Sequence, residues 1–152
     1  MNYWLLKSDP DEFSWEDLKK QSHRRSMWDG VRNYQARNFL KEMKKGDLAF
    51  FYHSSTQPQH IPGIVNIVEE AYPDFTQFNK NHMHYDPKAT KENPIWFMVD
   101  IQFEQEILPP ITRDELKKNM SLGEMLLFKN SRLSVLPVTP DHWKTILKLR
   151  KL

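Results

Sequence analysis

The segment Asp47–Ser54, DLAFFYHS, constrains this chain more than any other. From Leu48 to Tyr52 every residue is apolar or aromatic. Successive side chains of a strand point to opposite faces, so such a strand must be covered on both. It belongs at the centre of a sheet with a packed layer on each side. Two more segments read as strands to set beside it. IPGIVNIVEEAY (Ile61–Tyr72) follows after a polar loop, and PIWFMVDIQFEQ alternates with period two. That alternation sends Ile95, Phe97, Val99, Ile101 and Phe103 one way, and Trp96, Met98, Asp100 and Gln102 the other. YWLL (Tyr3–Leu6) and RLSVLPV complete the strand set.

The helices are fewer and shorter. Ser14 with Asp17 three residues on predicts a capped helix over Trp15–Lys20. From Asn33, Ala36, Phe39, Leu40 and Met43 recur at helical spacing as a buried face, and Gly46 ends the pattern. TRDELKKN reads as a helix and SLGEMLLF as an apolar stretch. The last helix opens with Thr139 as N-cap and Pro140 in the first turn, burying Trp143, Ile146 and Leu147. QSHRRSM reads as a polar basic loop. Residues 73 to 94, rich in Pro, Asn, His and Asp, read as a long irregular loop of the kind that carries function. Strands outnumber helices and never alternate with them in a regular rhythm. The expectation is one α+β domain over 1–152, a partly closed β-barrel with flanking helices.

Several chemistries are excluded by what the chain lacks. With no cysteine there is no disulfide, thiol nucleophile or cysteine-based zinc site. Four glycines, none in a phosphate-loop, dinucleotide or nucleophile-elbow pattern, leave no such cofactor motif, and none is expected. His82, His84 and Asp86 lack a third-ligand pattern and read as a polar loop rather than a metal site. No apolar run reaches membrane length and the N-terminal residues do not form a secretory signal, so an intracellular, cytoplasmic protein is expected. A net charge of +2 leaves a nucleic-acid partner to be decided by local distribution, and oligomeric state is not encoded legibly.

That distribution is most suggestive in WDGVRNYQARNFL (Trp28–Leu40). Opposite the apolar face of the helix lie Arg37, Lys41 and Lys45, with Arg32 just ahead. A charged outer face is the ordinary state of a helix. A helix N-terminus also favours an anion. A Trp beside a polar turn and near cations is either core or a platform on which a base stacks. Asp29 could accept from an exocyclic amino group of cytosine or adenine.

Five blocks in order resemble the EVE domain: YWLLKSDPDEFSWEDL, WDGVRNYQARNFLKEMKKGDLAFFYHS, AYPDFTQF, YDPKATKENPIWFMVDIQF and RLSVLPVTPDHWKTIL. The resemblance runs nearly end to end. It implies a PUA-like fold related to YTH and ASCH domains, which place a base in a pocket at the side of the barrel. It further implies a non-enzymatic reader of a modified base in DNA or RNA, with 5-methyl- or 5-hydroxymethylcytosine the leading candidates. By the same resemblance Trp28 is the cage wall. Lys7 and Ser8 form the pair after the first strand, close to the nucleotide. His53 and Ser54 end a strand bordering the pocket, and Arg132 in NSRLSV holds the nucleotide backbone. Tyr85 is the second cage aromatic, with Trp96 as the alternative. The residues themselves add the expectation that Asp29 and Asn33 read the base edge and that Lys7, Arg32, Arg37, Lys41 and Arg132 meet phosphates. The family commonly has KSEP where this chain has KSDP, so Asp9 is one methylene shorter. Two rival expectations stand beside the reader. An enzyme acting on a nucleotide or base would use His53 as its base, and a binder of a free nucleoside would carry its cations away from the pocket mouth.

Overall fold

The computed structural model describes residues 1–152. Its strands are β1 (Tyr3–Ser8), β2 (Arg25–Met27), β3 (Leu48–His53), β4 (His60–Pro73), β5 (Phe97–Thr112) and β6 (Val135–Val138). They form one sheet in the order β2-β5-β4-β3-β1-β6. Only β1 and β3 run parallel; the other neighbours are antiparallel. The register of β4 against β5 shifts repeatedly along their length. Bulges of this kind bend a strand and raise its twist. They curl the sheet into a PUA-like, partly closed barrel whose edges, β2 and β6, stay unjoined. The helices are α1 (Trp15–Lys20), α2 (Tyr34–Glu42), α3 (Arg113–Lys118), α4 (Leu126–Lys129) and α5 (Pro140–Lys148). None is long and apolar enough to cross a membrane.

β3 is central, and the reason is visible in its two faces. Phe50 stacks on Trp143 of α5 with ring centroids 4.0 Å apart. Phe51, pointing the other way, receives the edges of Trp15 at 5.4 Å and Trp28 at 5.5 Å. The helix caps form as their residues predict. Ser14 and Asp17 make a reciprocal box, Thr112 and Glu115 a second, and Thr139 accepts from His142 N–H. In α2, Ala36 and Leu40 are buried, with Met43 just beyond its end, and Phe39 packs partly buried against Trp4.

The sequence expectation needs four corrections. QSHRRSM is not a plain loop, because Arg25–Met27 pair with Gln102–Asp100 as the edge strand β2. A three-residue edge strand with polar residues carries no apolar period to read. β5 continues to Thr112, past the point where its alternation fades. Within it Met98 and Val99 are both fully buried although they point to opposite faces, so both faces are covered there. RLSVLPV supplies strand only from Val135. Residues 73 to 94 contain a 3-10 turn, Phe75–Phe78, organised by polar side chains. The buried Gln77 amide donates to the carbonyls of Asp74 and Trp96, while its oxygen accepts from Ile95 and Trp96 N–H.

Gly63 of β4 shows how closely the core is filled. A Cβ there would lie 2.1 Å from the Trp15 indole and 2.7 Å from the Gln105 carbonyl oxygen. Gly63→Ala should therefore overpack the interior and cost about 1–3 kcal/mol. The melting temperature of the variant is expected to fall by roughly 2–12 °C. An unchanged melt would show that the Trp15 seat is looser than this.

Candidate nucleic-acid interface

Four chain segments meet around a cavity of about 510 Å³. The end of β1 and the following loop bring Lys7, Ser8, Glu12 and Phe13; β2 and its exit bring Ser26, Met27, Trp28 and Asp29. The long loop adds His82, Met83 and His84, and Ser134 closes the wall before β6. Trp28 is only 7% exposed. Its backbone N–H donates to the Val99 carbonyl, and its ring is held at near right angles to Phe51 and Phe13. It is thus core on one side and cavity wall on the other. Asp29 is exposed, and its carboxylate accepts no hydrogen bond within the protein. The Ser8 hydroxyl donates to the Phe13 carbonyl at 2.6 Å, which fixes the loop that carries Phe13.

The rim is organised from behind by Asp74, which is fully buried. Its carboxylate accepts from Gly30 N–H, from Arg32 and from both the N–H and hydroxyl of Thr76. Burial alone would raise its pKa. The hydrogen bonds from Thr76, Gly30 and Arg32, with the Arg32 charge, outweigh that and hold it below the usual carboxylate range. Arg32 also donates to the His84 carbonyl at 3.0 Å, pinning the long loop to the cavity. Gly30 sits at φ +82°, and a Cβ on it would come within 2.7 Å of the His84 ring. Only glycine combines that backbone with that approach.

The expected site residues divide sharply. Trp28, Asp29, Ser8 and Lys7 meet at the cavity. Ser54 and Arg132 line a neighbouring hollow instead, which Lys7 also borders. His53 lies in neither: it is 5% exposed, accepts at Nε2 from Trp15 N–H, and leaves Nδ1 without a partner. Tyr85 and Trp96 are absent from the wall as well. Trp96 is buried against Tyr34 and donates its indole N–H to Asp86. Asn33 caps α2, accepting from Ala36 N–H, so its side-chain oxygen is structurally engaged. Arg32 touches the cavity, but its guanidinium is bound to Asp74, Thr76 and His84 rather than free for phosphate. Arg37 donates to Asn38 and to the Ile95 carbonyl, and Lys41 lies over the Phe97 ring, both outside the cavity. His82 and His84 sit with ring centroids 5.3 Å apart, and no cluster here could hold a metal ion. Sequence reasoning missed Asp74, Phe13, Met27 and Met83. Asp74 with Thr76 two residues on has the pattern of an Asx turn, the one local signal available for it.

The family model for the EVE domain matches residues 2–149. The chain belongs to the EVE domain family. It is 45% identical to human thymocyte nuclear protein 1 over 167 aligned residues, covering 99% of this chain and 74% of that protein. The human THYN1 protein, solved in complex with 5-methylcytosine-containing DNA, superposes with a TM-score of 0.96 at 44% identity, covering 100% of this chain and 99% of that one. The YTH domain of Zygosaccharomyces rouxii MRB1, solved with N6-methyladenosine RNA, superposes with a TM-score of 0.56 at 16% identity over 99% of this chain and 86% of that one, a likeness of fold. This EVE domain keeps its Trp28 cavity between the loop after β1 and the exit of β2.

His53 gives the domain a pH signature. Burial first, and the His60 charge second, push it down to about 4. In the unfolded chain it titrates near 6.5. The unfolded state therefore binds a proton that the folded state refuses between these values, and stability falls as pH drops from about 6.5 to about 4. The loss should be on the order of 2–3 kcal/mol. Urea unfolding of the wild type across that window should show this slope, and His53→Gln should flatten it. Equal slopes in the two proteins would assign the titration elsewhere.

Proposed function

We propose that this EVE domain is a non-enzymatic reader that takes a modified cytosine from a nucleic-acid strand into the Trp28 cavity. The observation that carries the reading is that cavity: an aromatic wall held rigidly by Phe51 and Phe13, with the unpartnered carboxylate of Asp29 beside it. The likeness to a protein solved with 5-methylcytosine-containing DNA supports the choice of base. A base leaving its stack loses neighbours on both faces, and an indole replaces one of them. Asp29 accepts from the exocyclic amino group of cytosine, which thymine lacks. Phe13, Met27, Val31 and Met83 offer apolar surface to a 5-methyl group. One buried methyl is worth about 0.8 kcal/mol, so methylation by itself gives roughly fourfold selectivity. Larger discrimination requires that an unmodified base leave the pocket poorly filled. A reader of this kind works inside the cell, where its DNA or RNA target is. His53 offers no base for a catalytic alternative, since it does not reach the cavity.

Two substitutions test the reading. Asp29→Ala removes an exposed, unbonded side chain and should leave stability within about 0.5 kcal/mol. It should weaken binding of a 5-methylcytosine strand by roughly 10-fold, the worth of a hydrogen bond to a charged group. Trp28→Ala removes the stacking wall, with an expected 10- to 100-fold loss. Because truncating a buried Trp costs about 3–5 kcal/mol of stability, its fold must be confirmed by melting first. Titration of labelled oligonucleotides measures both. A folded Asp29→Ala protein with wild-type affinity for the methylated strand would remove Asp29 from base readout.

A further inference from the structure

Two exposed methionines stand at the Trp28 cavity. Met83 is 79% exposed and Met27 44%, and both line it. The fold draws little from Met83, because most of its surface stays in water. Its residue type is also out of keeping with its place. The Tyr85 N–H donates to the His82 carbonyl at 3.0 Å, so residues 82 to 85 close a turn with Met83 at its first central position. Turns of this kind favour Pro, Gly or a short polar residue there.

The turn around Met83 is fixed from several directions. The His84 carbonyl accepts from Arg32 at 3.0 Å, and Arg32 is anchored on the buried Asp74. The His84 N–H donates to His82 Nδ1 at 3.0 Å, and the His82 N–H donates to the Asn79 carbonyl at 3.0 Å. The His84 ring lies against Gly30, in space that a Cβ would fill. His82 and His84 are half-buried, so the turn projects one thioether beside the cavity. A thioether has no donor to offer a phosphate. It offers pliable, polarisable apolar surface, held out by a backbone that is already ordered.

Capturing a base from a duplex creates a need for that surface. Turning a cytosine out breaks its pair and its stacking, and leaves a gap between the neighbouring bases. Proteins that hold DNA open commonly insert an apolar side chain between bases, Met among them. Met83 stands at the cavity that would receive the extruded base, which is where such a side chain is needed.

We propose that Met83 is a wedge that enters the base stack of double-stranded DNA and fills the gap left by the modified cytosine. The substrate of the domain is then a duplex rather than a strand already single. This rests on the base-reader function above, which supplies the extruded base.

The test is equilibrium binding by wild type, Met83→Ala, Met83→Leu and Met27→Ala. The probes are a short DNA duplex carrying one 5-methylcytosine, the same methylated strand alone, and the unmethylated form of each. Both methionines are surface side chains, so the variants should melt close to wild type. A single strand has no paired gap to fill. Met83→Ala is therefore expected to weaken binding of the methylated duplex by about 10-fold, on the scale of an unstacked base step. It should weaken the single strand by no more than the roughly fourfold that a methyl contact is worth. Met83→Leu, apolar and of similar volume, should hold the duplex close to wild type. Met27→Ala should weaken duplex and single strand by the same small factor. If Met83→Ala weakens the two equally, or leaves both at wild-type affinity, Met83 is no wedge and the proposal is overturned. Wild type that binds the methylated single strand and fails to bind the duplex would overturn it too. The base reading is judged separately, by wild-type preference for the methylated over the unmethylated single strand. Equal affinities there would remove that reading, while a duplex-selective loss in Met83→Ala would still set Met83 within the base stack.

Discussion

Asp74 is a fully buried carboxylate, and four hydrogen bonds from Gly30, Arg32 and Thr76 keep it ionised. Removing one partner from such an arrangement costs about 3–5 kcal/mol, because the remaining charge is left stranded. Its position makes that cost structural for the whole interface. Asp74 opens the long loop, Gly30 and Arg32 follow Trp28, and Arg32 carries the link on to His84. Two segments more than forty residues apart in sequence are thereby locked into one rim. Without this node the loop bearing His82, Met83 and His84 would have no reason to close over the Trp28 turn.

The aromatic layering does the complementary work from inside. β3 is buried on both faces, so each face organises different partners. Phe50 fastens α5 through Trp143, and Phe51 orients Trp15 and Trp28. Trp28 is consequently stiff, which lowers the ordering cost of stacking anything against it. The same packing explains why a Trp that lines a cavity is nearly buried. Its exposure is small because most of its surface is spent on being held.

Much of the fold was legible because its signals are local or periodic. The apolar run of β3, the face of α2 and the caps Ser14 and Thr139 all formed. β2 was not legible, since three polar residues on an edge have no period. At the site, Trp28, Asp29 and Ser8 were expected to meet with His53 and Ser54; the cavity gathers the first three, with Lys7, and leaves the other two out. Several polar side chains expected at the site are engaged elsewhere. Arg32, Arg37 and Trp96 each found a tertiary hydrogen-bond partner and Asn33 caps its own helix, and sequence spacing does not reveal which polar groups are already spoken for. His53 pairs with Ser8 in the ladder, one residue short of the hollow that Ser54 lines. A one-residue change of face is enough to remove a side chain from a site.

A rigid aromatic wall and a free carboxylate beside it are the parts on which the proposed reading rests. The central claim is that the base goes to Trp28. A structure of this protein bound to a DNA strand carrying one 5-methylcytosine tests it most directly. The account predicts the methylated base unstacked from its neighbours, lying against the Trp28 indole with its amino group at the Asp29 carboxylate. A methylated base left within its stack, with the Trp28 cavity unoccupied, would contradict it.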